Sequence, residues 1–157
     1  RRRHLRTREK MRTGPTLARA TLLSLSLSAA GAGTNAATLT VTVKGATSDE
    51  GQMIVRVFEN PQDFPKENAV TIAAGVAKIK AGSATFTFKD IPPGRYAVAG
   101  AHDENSNRKL DRNFLKIPTE NFGFSNNAPA SFGAPSFEEA AFEVVEPATS
   151  IEFTLQD

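Results

Sequence analysis

The sequence predicts an all-β fold, an antiparallel β-sandwich of about seven strands. After residue 36, short segments with alternating apolar and polar residues recur, and clusters of Gly, Pro, Asp and Ser separate them. None of these segments has the 3.6-residue apolar period of an amphipathic helix. Strands with one apolar face bury it most simply when two sheets pack face to face. A small closed barrel is the alternative.

The first strands flank a polar turn. Residues 38–44 alternate between Thr or Lys and apolar residues, and the apolar segment Met53–Phe58 follows the turn at residues 47–51. We expect these two strands to pair as a hairpin. Pro61 and Pro65 then indicate a loop, because proline disfavours both a helix interior and a central strand.

The sequence patterns that predict the later strands differ in strength. Residues 69–80 predict one or two weak strands at a sheet edge, because Ala and Gly75 interrupt the Val and Ile residues. Residues 95–101 are rich in Ala and Gly, which predicts close packing against another element. The other predicted strands are residues 84–88, 137–145 and 150–155.

Tyr96 bears on the type of sandwich. It is the only tyrosine of the chain and lies two residues after Gly94, at the start of a predicted strand. An immunoglobulin-like sandwich has its tyrosine corner at such a position, whereas an ordinary half-buried strand tyrosine is the other interpretation. We therefore expect an immunoglobulin-like or transthyretin-like β-sandwich.

Residues 1–36 predict a signal peptide with an upstream extension. They carry eight Lys and Arg residues and one acid, and a short apolar, Ser-rich run is followed by small residues. We expect translation to start at Met11 and cleavage to follow Ala36, so that residues 37–157 form one periplasmic or secreted domain. The apolar run is too short to span a bilayer, which predicts no membrane span in the mature chain.

The composition of the mature chain excludes several classes. Residues 37–157 hold eleven Lys and Arg residues and sixteen Asp and Glu residues, a net charge of −5. This charge repels phosphate backbones, so we expect no nucleic-acid partner. The chain has no cysteine, and therefore neither disulfides nor thiolate metal sites. The expected partner is an unknown ligand or protein.

Oxygen-bearing side chains alternate just after the strand at residues 95–101. They are Asp103, Asn105, Asn107 and Asp111, with the backbone carbonyl of Lys109 between the last two. The spacing matches five ligand positions of an EF-hand calcium loop. Arg108 and Phe114 occupy the positions of its Gly and bidentate Glu, which excludes a helical EF-hand. A weak Ca²⁺ site and a turn that hydrogen-bonds to itself are the remaining interpretations.

His102 is the only other candidate for chemistry. It precedes Asp103 in the sequence, so a metal site, or a hydrolase using His102 with Asp103 or Asp111, can be considered. Residues 37–157 contain no second histidine, no nucleophile elbow and no Gly-rich phosphate loop. We therefore expect a non-enzymatic module, either binding or envelope-associated. A Ca²⁺-stabilised module and the hydrolase are the alternatives.

Residues 102–136 form a long predicted loop rich in Phe, Asn and Gly. Five of the eleven phenylalanines lie in it or directly after it: Phe114, Phe122, Phe124, Phe132 and Phe137. So long a loop is usually functional or held by its own contacts. We expect it to fold back and cap one end of the sandwich, because large exposed apolar patches are uncommon. Presentation of the phenylalanines to a ligand is the alternative.

A series of motifs carries a family resemblance. They are Ile91–Val98, His102–Asn105, Lys109–Asp111, Asn113–Leu115, Phe122–Asn127 and Phe132–Phe137. In this order they closely resemble an uncharacterised bacterial exported family, domain-of-unknown-function family 2141, from about Leu39 to Leu155. The resemblance implies an exported β-sandwich without an assigned reaction. It also implies Gly as the common residue where this chain has Ser106 and Arg108, which makes a tight ion-binding turn less favourable here.

Overall fold

A computed structural model describes residues 35–156, and these residues form two β-sheets around a shared core. In chain order the strands are β1 (Ala37–Lys44), β2 (Gln52–Phe58), β3 (Ala73–Ala77), β4 (Ser83–Ile91), β5 (Gly94–Asp103), β6 (Phe122–Phe124), β7 (Phe142–Val144) and β8 (Ala148–Thr154). The helical segments are a 3₁₀ turn (Ser125–Asn127) and one turn of α-helix, α1 (Phe137–Ala140). The all-β prediction is confirmed. Residues 1–34, which hold most of the predicted signal peptide, lie outside the described residues.

The sheet topology corrects two predictions. The first sheet has the order β4-β1-β8, and the second has the order β3-β2-β5-β6, with β7 also paired to β5. β1 and β2 therefore do not form the predicted hairpin, because the turn between them crosses from one sheet to the other. Within residues 35–156 all strand pairs are antiparallel except β1 and β8, which run parallel, so the predicted antiparallel arrangement is wrong for this one pair. β3 is an edge strand, as predicted.

The main core lies between the sheets because each central strand turns alternate residues inward. Leu39, Val41 and Val43 of β1 face Met53, Val55 and Val57 of β2 across it, and all six are fully buried. Burying one such side chain stabilises the fold by about 1.5–3 kcal/mol relative to leaving it exposed. The alternation seen in the sequence is therefore the pattern of this core.

Two glycines admit a large aromatic ring into the core. Gly100 of β5 and Gly123 of β6 are cross-strand neighbours, and the ring of Phe153 from the opposite sheet lies over them. A Cβ atom on Gly100 would stand 2.9 Å from Cζ of Phe153, and one on Gly123 would stand 2.8 Å from the carbonyl oxygen of Thr154. The predicted close packing of β5 is thus confirmed, with Phe153 as the element above it.

Tyr96 is fully buried and makes a tyrosine-corner hydrogen bond. Its hydroxyl donates to the carbonyl oxygen of Pro92 at 2.8 Å, four residues upstream. Burial raises the pKa of Tyr96 above its ordinary value, since the phenolate would lose its hydration. The role of this side chain is structural.

The predicted strand at residues 137–145 is wrong in its first half. Residues 137–140 form α1, and only residues 142–144 form a strand. Ser136 caps the helix: its Oγ accepts from the amide of Glu139 at 3.3 Å, and the Glu139 carboxylate accepts from the amide of Ser136 at 2.7 Å. The Ser136-x-x-Glu139 spacing is the signature of this capping box. The hydrogen bonds that the Glu139 carboxylate accepts from the amide and the hydroxyl of Ser136 lower the pKa of Glu139.

A second apolar cluster covers part of the outer face of the second sheet. The ring of Phe64 lies in T-shaped contact with those of Phe58, Phe124 and Phe137, with centroids 5.4, 5.6 and 6.0 Å apart. Phe124 and Phe137 belong to the long aromatic segment, which therefore packs on a sheet face and adds β6 to the sheet. The predicted cap at one end of the sandwich is wrong, because β5 leaves an edge with which Phe122–Phe124 can pair.

Candidate functional site

A groove crosses the rest of that outer face. Ala99 and Ala101 of β5 point away from the core, next to Ile54 and Arg56 of β2, and their small side chains leave the sheet surface low. The chain at residues 65–68, 108–118 and 130–134 rises around this floor. The groove has a volume of about 1010 Å³. Small-molecule sites in proteins enclose about 300–1,000 Å³.

Apolar side chains line the groove without being covered. Val76 of β3 is 47% exposed, Ile117 is 54% exposed and Phe132 is fully exposed. Phe122 and Phe124 stand opposite Ala101 and Ala99 on the neighbouring strand. A concave surface with several exposed apolar residues is typical of a binding site, whereas single exposed apolar residues are ordinary.

The charged side chains of the groove are almost all basic. Five cationic residues line it: Arg56, Arg108, Lys109, Arg112 and Lys116. Glu67 is the only acidic residue among the described residues that do so. The predicted mature chain has eleven Lys and Arg residues against sixteen acids. Nearly half of the positive charge of residues 37–157 is thus gathered at one concave surface.

Within residues 35–156, Arg56 has no carboxylate within ion-pair distance. Its guanidinium donates to the backbone carbonyl oxygens of Lys66, Glu67 and Ala69 and lies 5.8 Å from the centroid of the Phe58 ring. These neutral acceptors hold the side chain in place while its net charge persists. Arg56 therefore contributes a fixed positive potential where the β2–β3 connection borders the floor.

One ion pair links two walls of the groove. Nε of Arg112, in the β5–β6 connection, lies 3.7 Å from Oε1 of Glu67, in the β2–β3 connection. Both side chains are about half exposed, and such pairs contribute about 0–1 kcal/mol. Among residues 35–156, Arg108, Lys109 and Lys116 have no carboxylate within ion-pair distance.

The predicted calcium loop begins with a carboxylate that is fully buried. Oδ2 of Asp103 accepts hydrogen bonds from Nε2 of Gln52 and from the amide of Arg108, both at 2.7 Å. Its Oδ1 accepts from the amide of Asn107 at 3.0 Å. Both oxygens of Asp103 thus hold the returning backbone of the loop.

The remaining oxygens of this loop also accept hydrogen bonds from within it. The Asp111 carboxylate accepts from Nδ2 of Asn105 at 2.5 Å and of Asn107 at 2.9 Å. Oδ1 of Asn105 accepts from the amide of Asn107, and Oδ1 of Asn107 accepts from that of Lys109. Ser106 and Arg108 have φ angles of 60° and 64°, the left-handed conformation that favours glycine. These are the two positions at which the resemblance to family 2141 implies Gly, and both carry backbone strain in this loop.

These hydrogen bonds favour the self-bonded turn, and the Ca²⁺ site stays a prediction. Nowhere in residues 35–156 do three His, Asp or Glu side chains gather as a metal site requires. A cation between Asp103 and Asp111 would have to displace the N–H donors that face their oxygens. We expect the melting temperature of the purified protein to be the same, within about 1 °C, in about 5 mM Ca²⁺ and in chelator, because an ion that does not bind the folded state does not stabilise it. A rise of several degrees with Ca²⁺ would establish the ion site.

His102 does not combine with either acid. It is fully buried, its Nε2 donates to the carbonyl oxygen of Glu50 at 2.8 Å, and its Nδ1 lies 3.3 Å from Oγ1 of Thr47. Because successive residues of a strand point to opposite faces, His102 faces the core while Asp103 faces outward. Both ring nitrogens are engaged in holding the turn at residues 47–50. The arrangement proposed for a hydrolase is therefore not assembled in this structure.

Glu120 is a site residue that the sequence did not reveal. Its carboxylate accepts from the amide of Glu104 at 3.0 Å and from that of Asp111 at 2.9 Å, so it ties both ends of the acidic loop together. It lies nine residues after Asp111 in a segment without periodicity, and no local signal marks it. The groove also depends on segments far apart in the chain. Ala97, Ala99 and Ala101 alternate in the sequence, but the sequence does not show which segments surround them.

The comparison with protein families identifies a relationship. The family model described as "Uncharacterized protein conserved in bacteria (DUF2141)" matches residues 41–152. The chain belongs to this family. The match spans all eight strands entirely or in part, together with the acidic loop and every wall of the groove. Comparisons with curated proteins and with solved structures found no match. Membership in family 2141 brings no activity, so function has to be argued from the groove.

Within residues 35–156, no helix has the length and apolar character needed to cross a membrane.

Proposed function

We propose that this family 2141 protein is an exported, non-enzymatic β-sandwich that binds a small ligand in the groove of its second sheet. The groove itself carries the proposal: it combines a volume of about 1010 Å³ with exposed apolar side chains and unpaired positive charge. A surface with a purely structural role would need neither a groove, nor exposed apolar side chains, nor unpaired charges. Binding therefore accounts for them better than a purely structural role.

The strand order supports a transthyretin-like rather than an immunoglobulin-like sandwich. The immunoglobulin constant-type fold places its first two strands side by side in one sheet. Here β1 and β2 lie in different sheets, and β1 pairs with β4 and β8. The tyrosine-corner hydrogen bond of Tyr96 is compatible with either type, since it depends only on the local chain path.

The arguments for export and for the absence of catalysis come from the residues. The basic, apolar and small-residue order of residues 11–36 favours a cleavable signal peptide. His102, the strongest candidate for a catalytic base, is buried with both ring nitrogens engaged. A base must reach the proton it abstracts, and His102 has no path to a substrate in the groove.

Blocking the groove tests the proposed function. We expect Nile red, an uncharged dye that fluoresces in apolar sites, to bind the wild-type protein saturably. The variant Ala99→Trp fills the floor beside Phe124 and should weaken dye binding at least about tenfold, since an indole excludes any occupant from the same volume. Fluorescence titration measures both affinities.

A matched variant controls for the added indole. Ala148→Trp places the same side chain at an exposed position of β8 outside the groove, and its dye affinity should equal that of the wild type. Circular dichroism and thermal melting check that both variants fold; if Ala99→Trp does not, Phe132→Glu, which puts a charge on the fully exposed groove wall, replaces it. Absence of saturable binding, or equal binding by the blocked and control variants, would refute the proposal.

A further inference from the structure

We infer that the groove takes a free single-chain amphiphile with an anionic head group, of the chemical class of the fatty carboxylates. This inference rests on the proposed function and adds the chemistry of the ligand. Three observations carry it: the sign of the charge at the groove, the apolar character of the surface below that charge, and the closure of the groove by its walls.

The charge of the groove requires an anion. Five cations and one carboxylate line it, although acids outnumber bases in the mature chain as a whole. Among the described residues, Arg108, Lys109 and Lys116 have no ion-pair partner, and Arg56 donates only to neutral carbonyl oxygens. Opposite charge close to a partly enclosed surface is attracted more strongly than in bulk water.

The position of the charge requires a ligand with two chemically different ends. Lys109, Arg112 and Lys116 belong to the wall formed by the β5–β6 connection, whereas Ala99, Ala101 and Phe122 form the apolar floor. A small inorganic anion would leave the partly exposed Ala99 and Phe122, and the exposed Val76 and Ile117, in contact with water. A hydrocarbon chain that lies along these side chains removes them from water, which is favourable roughly in proportion to the apolar area covered.

The walls favour a free amphiphile over the surface of a bilayer. The Arg112–Glu67 pair joins the β5–β6 connection to the β2–β3 connection, so chain rises on opposite sides of the floor. A flat lipid surface meets the tops of the walls and leaves the alanines of the floor uncovered. The net charge of −5 also repels anionic membranes as a whole, while a small anion responds to the local positive field.

Three ligands with the same chain and different head groups test the inference. Decanoate, 1-decanol and decylammonium, each below its aggregation concentration, compete with Nile red for the wild-type protein. We expect decanoate to displace the dye at a concentration at least about tenfold lower than decylammonium does, with decanol between them. Butyrate, which has the head group without a long chain, should displace no dye.

Charge reversal locates the head group. The double variant Lys109→Glu/Lys116→Glu should bind decanoate at least about tenfold more weakly, and its affinity for decanoate should fall by a larger factor than its affinity for the uncharged Nile red. The control, Lys80→Glu/Lys89→Glu, changes the net charge equally at exposed positions outside the groove and should behave as the wild type. Both pairs are exposed, so folding is not at risk.

The outcomes separate the two proposals. If Nile red binds but decanoate shows no advantage over decylammonium, or if both double variants lose decanoate equally, the anionic amphiphile is wrong and the binding function stands. If the protein sediments with phosphatidylglycerol vesicles and ignores monomeric decanoate, a membrane surface replaces the free ligand. If Nile red does not bind either, the proposed function itself fails.

Discussion

Replacing Phe153 by alanine should lower the free energy of unfolding by about 3–5 kcal/mol, the range found for buried aromatic residues. The ring is 1% exposed and rests on Gly100 and Gly123. Glycines have no side chains that could move into the space it leaves, so the cavity stays largely unfilled. The loss should fall in the upper part of the range for this reason. Urea denaturation followed by circular dichroism measures it.

Phe132→Ala is the matched control. Phe132 is fully exposed, and the same truncation there should change the free energy of unfolding by less than about 0.5 kcal/mol. A loss below about 1 kcal/mol for Phe153→Ala would mean that the sheets can close over the two glycines, and that the ring does not determine their spacing.

Replacing Asp103 by alanine should lower the free energy of unfolding by about 2–3 kcal/mol, because three hydrogen bonds to a buried carboxylate are lost together. Gln52 loses its acceptor inside the protein, and the amides of Asn107 and Arg108 lose the contact that folds the loop back. We expect urea denaturation to report the loss in stability. Amide hydrogen exchange should become faster at residues 107 and 108, since only solvent then accepts from them.

Asp111→Ala separates this organising role from a shared ion site. The Asp111 carboxylate accepts only from the exposed side chains of Asn105 and Asn107, so its removal should cost less than about 1 kcal/mol. If Ca²⁺ bound to both acids, each variant would lose a similar amount of stability in Ca²⁺. The part of each loss that is due to the ion would then be absent in chelator. Unequal losses that Ca²⁺ does not alter would establish Asp103 as the organiser of the turn.

Asp103 also connects stability with the proposed binding surface. Arg108 and Lys109 line the groove directly after the segment that Asp103 holds. An open loop would spread these cations and lower the local positive potential. The acidic loop thus serves the groove as support, which differs from the ion-binding role that its spacing suggests.

Several parts of the fold could be predicted from sequence because they depend on local pattern. Alternation predicted β1, β4 and β8, an apolar run predicted β2, a run of small residues predicted β5, and the internal Gly75 marked β3 as a weak edge strand. The Ser136-x-x-Glu139 spacing is a local signal for the start of α1, and the predicted strand at residues 137–145 does not take it into account. The pairing of the strands was harder to predict, because a polar turn such as that at residues 47–51 is compatible both with a hairpin and with a connection between two sheets.

The candidate site likewise has one part that the local sequence predicts and one part that it does not. Its acidic loop was found because Asp and Asn alternate over a few residues. Its groove and Glu120 were missed, because they depend on segments far apart in the chain: β2 with β5, and the connection at 65–68 with that at 108–118. The long aromatic segment was predicted to cap an end, whereas it extended the sheet through Phe122–Phe124.

The strand class, the turn positions, the family and the uneven charge follow from the sequence, since each is a property of neighbouring residues or of composition. The pairing of the strands, the burial of Asp103 and His102 on opposite faces, and the five cations around one apolar floor become visible in the folded chain. Side-chain periodicity indicates which face of a strand is buried, but it does not indicate which element buries that face. Partners separated by fifty residues are selected by packing of the whole core, and the groove is the surface that this packing leaves open.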